Sequence, residues 1–268
     1  MLDAFRPYMS DEKITSFQRD LTDIDVAVSE SRDRLDPLLG TERAYPSYTD
    51  FVQQWPAIDA EMSDMLRTMH RALDNFAAVD ALPPFPLFPW FFVLPGGSVV
   101  AVAMWGLAGG GDRGTRNAAA ALAVLGVLLI AAPAVFQMFT RAPRGSEMID
   151  DFRPLMTTAK VQRIQGYFVV IGAGEGTIRN QVLPALEQDG IDTELPAVRQ
   201  LSARWPAISS EMAPMIGAMS DNVDNYAAVD ALPSFSLFPW FFVAPGFLIA
   251  GLGVIARRWS VELPRPAT

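Results

Sequence analysis

The stretch WPAIDAEMSDMLRTMHRALDNFAAVDALPPFPLFPWFFVLPG, Trp55 to Gly96, returns as WPAISSEMAPMIGAMSDNVDNYAAVDALPSFSLFPWFFVAPG, Trp205 to Gly246. The two are identical at 27 of 42 positions at a constant offset of 150, which marks an internal repeat. Upstream, MLDAFRPYM at 1–9 returns as MIDDFRPLM at 148–156, at offset 147. Arg32/Arg179 and Pro37/Pro184 keep that offset, so three residues are added between about 187 and 195. The unit is a polar segment followed by an apolar run, used twice. Two units make a duplication, not a solenoid.

The apolar runs are long. From Trp90 to Gly109 the only polar side chain is Ser98. From Asn117 to Phe139 the only ones are Asn117 and Gln137, and from Trp240 to Ala256 there are none. Each run is long enough to cross ~30 Å of hydrocarbon as a helix. Trp90 and Trp240, each followed by two phenylalanines, open the first and third runs, where aromatic rings favour the headgroup layer. Three membrane spans are therefore expected, over 89–109, 117–139 and 238–256.

Charge asymmetry orients them. Half the residues are apolar, 19% are charged, and the net charge is −9. The loop 110–116 and the tail 257–268 together carry five arginines and two acids. The segment 1–88 carries 8 basic and 16 acidic residues, and 140–236 carries 8 and 12. The positive-inside bias places the loop and tail in the cytoplasm and the segments 1–88 and 140–237 outside. Copy two follows a membrane span, whereas copy one starts at Met1; symmetry leads one to expect a further apolar helix upstream.

Within each outer segment the apolar residues follow helical periods. Ile14, Phe17, Leu21, Ile24, Val28, Leu35 and Leu38 form an a/d stripe. Copy two repeats it with Val161, Ile164, Phe168, Ile171, Ile178 and Val182, but places Glu175 at one seam position. A second helix is expected to start near Pro56 and Pro206, with Ile58, Met62, Met65, Met69, Leu73 and Phe76 on its apolar face. The fold class that follows is an all-α integral membrane protein. Its unit is an extracytoplasmic helical hairpin plus a transmembrane helix, with the two hairpins joined as a four-helix bundle. Pro83, Pro84, Pro86 and Pro89 are expected to force an extended elbow before the span.

Little of the chain suggests chemistry. There is no cysteine and one histidine, so thiolate and multi-histidine metal sites lack material. The acidic balance excludes nucleic acid as a default partner. Gly172, Gly174 and Gly176 have the wrong spacing for a dinucleotide loop, so no nucleotide or other cofactor is expected. The methionines, with His70 alone beside them, make a thin copper ligand set and read as core. Asp74, Asn75 and Asp80, repeated as Asp224, Asn225 and Asp230, lie just before the elbow and are candidates for partner contact. Trp90 and Trp240 join them at the interface. Gly97/Ala101 and Gly246/Ala250 have small-xxx-small spacing for close helix packing. Glu61/Glu211 are expected to pair with a retained arginine, Arg6/Arg153 or Arg32/Arg179. No ionisable group lies inside the spans, which argues against ion-coupled transport.

The function expected is therefore non-enzymatic: an accessory or scaffold subunit of a bacterial cell-envelope complex in the plasma membrane. Its partners would be the lipid bilayer and other membrane-protein subunits. The alternatives are a sensor or binding protein for an apolar ligand or lipid and, less favoured, an envelope-lipid enzyme working at the elbow.

Overall fold

The computed structural model describes residues 1–39, 45–83, 87, 89–108, 112–191 and 194–262. It is 88% helix, and no strand occurs among the described residues. In chain order the helices are α1 (Leu2–Phe5), α2 (Asp11–Glu30), α3 (Asp36–Leu39), α4 (Pro46–Arg71), α5 (Leu73–Asp80), α6 (Trp90–Ala108) and α7 (Asp112–Val135). They continue as α8 (Met138–Phe152), α9 (Thr158–Thr177), α10 (Leu183–Gln188), α11 (Pro196–Asp230) and α12 (Trp240–Glu262). The chain divides into two compact units, Met1–Asp74 with Ile149–Ala231, and Asn75–Met148 with Leu232–Thr268.

In the first unit four long helices close a ring: α2 packs on α4, α4 on α9, α9 on α11 and α11 on α2. Ile14, Phe17, Leu21, Ile24 and Val28 of α2 are buried, as are Val161, Ile164 and Ile171 of α9. The methionines at 62, 65, 69, 212, 215 and 219 lie in the core beside Ile58, Leu66, Ile208 and Ile216. Unbranched, polarisable side chains fill such a seam with little loss of packing. The hydroxyls of Ser10 and Thr157 cap α2 and α9, accepting from the backbone N–H of Lys13 and Lys160, each at 3.2 Å. A cap of this kind satisfies one of the first-turn amides that have no helical acceptor.

Two departures from the sequence expectation have clear causes. The second helix of each copy starts at Pro46 and Pro196, ten residues before Pro56 and Pro206. Both pairs suit a helix start, but the earlier prolines occupy the first turn, where a missing N–H costs nothing. Pro56 and Pro206 therefore sit inside. Pro56 deprives the Val52 carbonyl of its helical donor, and Arg32 Nη2 supplies one at 2.5 Å.

The second departure is a shift of the apolar stripe. Leu38 is exposed and Leu39 buried, because residues Ser31–Leu35 form a π-helical turn. One extra residue in that turn moves every later side chain round the helix. Copy two has the same turn at Ile178–Val182, after which Leu186 is buried.

The second unit holds the apolar helices. Arg113–Val135 and Phe235–Arg258 are long and apolar enough to cross a membrane. The apolar part of α6, Phe92–Ala108, is shorter. The second apolar run ends as a helix at Val135 rather than continuing to Phe139. Gln137 takes a left-handed conformation, φ 53°, a strained one for a side-chain-bearing residue. Its carbonyl accepts from the backbone N–H of Arg141 and the Thr140 hydroxyl as α8 begins. The elbow of copy two is not extended: Phe235–Leu237 is a short 3₁₀ turn, capped by Ser234. In copy one, Pro84 and Pro86 lie outside the described residues, as do the tail residues 263–268.

Candidate functional site

The polar centre of the first unit is a pair of crossed ion pairs. Lys13 Nζ lies 2.6 Å from Glu211 Oε2. In the mirror arrangement Lys160 pairs with Glu61. Each joins the lysine of one copy to the glutamate of the other. This corrects the expectation that a retained arginine would partner Glu61 and Glu211. The reason is register: α2 and α9 present Lys13 and Lys160 one turn inside their capped N-termini, opposite the middle of α11 and α4. Arg6 instead pairs with Asp3 at 2.8 Å, and Arg153 with Asp150 at 2.8 Å.

The two crossed pairs are not equal. Glu61 also takes hydrogen bonds from Tyr167 and, at 3.4 Å, Arg163. Burial alone would push the Glu61 carboxyl up, but the bonds from Lys160 and Tyr167 outweigh it and hold it below the usual range. Nearby, Asp20 stands in copy one where Tyr167 stands in copy two. It is buried against Arg204, at 2.7 Å, and Arg204 also reaches Asp23. Burial raises the Asp20 carboxyl despite that arginine.

The residues expected before the elbow separate into two kinds. Asp230 is held by Arg153, whose Nη2 and Nε reach its two carboxylate oxygens at 2.7 and 3.1 Å. Beside it the Tyr226 hydroxyl donates to the Ile149 carbonyl. Asp74, Asp224 and Asn225 are exposed, Asn75 is half-buried, and Asn225 donates to Asn222 at 3.2 Å. Asp80 is half-buried and is engaged in an interaction of its own.

In the second unit the small residues divide sharply. A Cβ built on Gly246 would lie 2.8 Å from Ile130 Cγ1, and one on Gly126 would lie 2.5 Å from the Ala250 nitrogen. One on Gly253 would lie 2.7 Å from the Ala119 carbonyl oxygen. Gly246 and Ala250 thus pack α12 onto α7. Gly97 meets nothing within 4 Å, and Ala101 is exposed. Trp90 and Trp240 are both more than half exposed, and Trp240 meets Phe139 edge to face at 6.0 Å.

Lys13/Lys160 and Glu61/Glu211 are each retained between the copies, but the sequence analysis paired the glutamates with arginines. The usable signal was present: a cation kept at offset 147 and an anion kept at offset 150 on neighbouring helices. Among the described residues no group of three or more His, Asp or Glu could hold a metal ion. The chain matches no protein-family model, no curated protein and no solved structure.

Proposed function

We propose that this chain is a non-enzymatic accessory or scaffold subunit of a bacterial envelope membrane complex. On this reading its duplicated hairpins form an extracytoplasmic four-helix bundle, its apolar helices span the plasma membrane, and its C-terminus is cytoplasmic. The observation that carries the reading is a difference between equivalent helix faces. In copy two, Phe242, Val243 and Gly246 are buried, with Gly246 close against α7. Of their counterparts in copy one, Val93 is 59% exposed against 6% for Val243 and Gly96 is exposed, while Phe92 stacks on Phe242 at 5.3 Å. Positions that are covered at Val243 and Gly246 but exposed at Val93 and Gly96 support a helix from another polypeptide as their occupant in copy one. α6 packs on α7 elsewhere, where a Cβ on Gly106 would lie 2.8 Å from Ala118 Cβ, and this leaves Val93, Gly96 and Val100 exposed.

Site-specific photo-crosslinking in native membranes tests this. A photoreactive side chain at Val100, on the bare side of α6, is expected to capture an apolar helix of a second membrane polypeptide. The same probe at Leu248, on the exposed side of α12, is expected to capture lipid. Lipid alone at both positions would overturn the subunit reading. The second reading, a binding protein for a lipid or apolar molecule, draws on a groove of about 610 Å³ between α7 and α12. It is lined by Ala120, Ala123, Val124, Gly253 and Val254, with Arg257 and Arg258 at one end. A lipid that co-purifies stoichiometrically with a monomer would favour it.

A further inference from the structure

Copy one and copy two differ in chemistry at one buried place. Val28 of α2 and Val52 of α4 are both buried. Copy two carries Glu175 of α9 and Ser202 of α11 at those two positions. Copy one therefore demonstrates that this architecture closes its seam without polarity there. Glu175 is 1% exposed, and neither carboxyl oxygen has a hydrogen-bond partner. The Ser202 hydroxyl is also buried without a partner. Polar atoms left this way are costly, so their presence in only one copy calls for a role. Close packing lies beside them: a Cβ on Gly174 would overlap Phe51, and one on Gly172 would lie 3.6 Å from Trp205 Cζ2.

An arginine distinguishes the copies further. Arg32 and Arg179 are each the second residue of a π-helical turn. Arg32 donates to the Val52 carbonyl that Pro56 leaves open. Pro206 leaves the Ser202 carbonyl open in the same way. Arg179, however, turns to its own helix, its Nε 3.5 Å from Glu175 Oε1. One arginine thus has two acceptors available, and the two copies show it on different ones. A π-helical turn, with its looser bonding, is a segment that can accommodate either.

We propose that Glu175, Ser202 and Arg179 form a proton-binding switch in the seam between α9 and α11. When Glu175 is ionised it holds Arg179. When it takes up a proton it releases Arg179 to the Ser202 carbonyl, the place Arg32 occupies in copy one, and its O–H donates to the Ser202 hydroxyl. Arg179 is the charged side chain acting on Glu175; α11 contributes the neutral Ser202, and α4 packs Phe51 against the neighbouring Gly174. Burial pushes the carboxyl above the ordinary glutamate range, against the pull of Arg179 and of the nearby Ser202 hydroxyl. The folded chain therefore keeps this proton to a higher pH than the unfolded chain does.

Amide hydrogen exchange of the full chain in detergent, from mildly acidic to mildly alkaline pH, tests the switch. After correction for intrinsic rates, protection over 175–186 is expected to change about fivefold with pH in the native chain. The equivalent segment 28–39 serves as a control in the same sample and is expected to stay level. Glu175→Gln and Glu175→Val should both flatten the 175–186 profile. Should the valine variant not fold, the glutamine variant decides alone. A level profile in the native chain, or an unchanged one in Glu175→Gln, would overturn the proposal while leaving the subunit reading untouched.

Discussion

Lys13 Nζ and Glu211 Oε2 meet at 2.6 Å although 198 residues separate them, and Lys160 makes the same contact with Glu61 in the opposite sense. Each copy lends a cation and receives one, as in the self-complementary interface of a symmetric dimer. Both members of each pair are partly desolvated, the Lys160–Glu61 pair more so than the Lys13–Glu211 pair.

That difference sets the first expectation. Lys13→Met should cost ~0–1 kcal/mol, the ordinary value for a partly exposed pair. Lys160→Met should cost ~1–3 kcal/mol, since it removes a charged hydrogen bond and leaves Glu61 partly buried. Denaturant melts of the two variants measure this. Equal costs would show that the Tyr167 and Arg163 contacts compensate for the missing lysine.

Glu61 also predicts a pH dependence. Its folded-state carboxyl lies below its ordinary value, so the unfolded chain takes up the proton first as pH falls. The stabilisation is complete above the ordinary glutamate range near pH 4.5 and is lost as pH falls through the folded value. Glu61→Gln should therefore reduce the slope of stability against pH on the acid side of that range. An acid limb with unchanged slope would locate the dependence in other carboxyls.

Arg32 and Pro56 should be coupled. Arg32→Met alone leaves the Val52 carbonyl without a donor, at a cost of ~1–3 kcal/mol. Pro56→Ala restores a backbone N–H at that position, so Arg32→Met should cost less in that background. A double-mutant cycle by chemical unfolding reads the coupling, and additivity would deny that the arginine serves this carbonyl.

The glycines of the second unit should respond in opposite ways. Gly126→Val and Gly246→Val force side-chain atoms against backbone or Ile130 and should lower the melting temperature in detergent, since close-packed helices have no room to yield. Gly97→Val enters open space and should leave melting unchanged. Loss of stability in Gly97→Val would show that α6 is packed more tightly than the exposed Gly97 implies.

Orientation can be tested cleanly because the chain has no cysteine. Ser210→Cys, at an exposed position of α11, should react with an impermeant maleimide added outside intact cells. Thr115→Cys, also exposed, should react only after the membrane is opened. The reverse pattern would invert the topology drawn from charge.

The helical content was legible because its signals are local. Apolar residues at steps of three and four mark the faces of α2, α4, α9 and α11, and uncharged runs mark the helices of the second unit. Helix starts were less legible. Pro46 and Pro56 are equally good first-turn residues, and the arginine that serves the Val52 carbonyl beside Pro56 comes from a different helix and is apparent only in the folded chain. Gly97/Ala101 and Gly246/Ala250 share one spacing, so the close packing at Gly246 and the open space at Gly97 are distinguished only by the fold.

From residue order alone come the duplication, the helical periods, the uncharged runs and the charge asymmetry. All of these depend on neighbours a few residues apart or on identity at a fixed offset. Which lysine meets which glutamate, where the apolar stripe slips by one residue, and which acceptor Arg179 takes were settled by packing. A pairing across 198 residues depends on the relative rotation and height of two helices. A π-helical turn shifts that rotation without any distinctive residue to announce it. The burial of the Glu175 carboxyl is apparent only once the seam closes around it, because burial belongs to the assembled core and not to the chain.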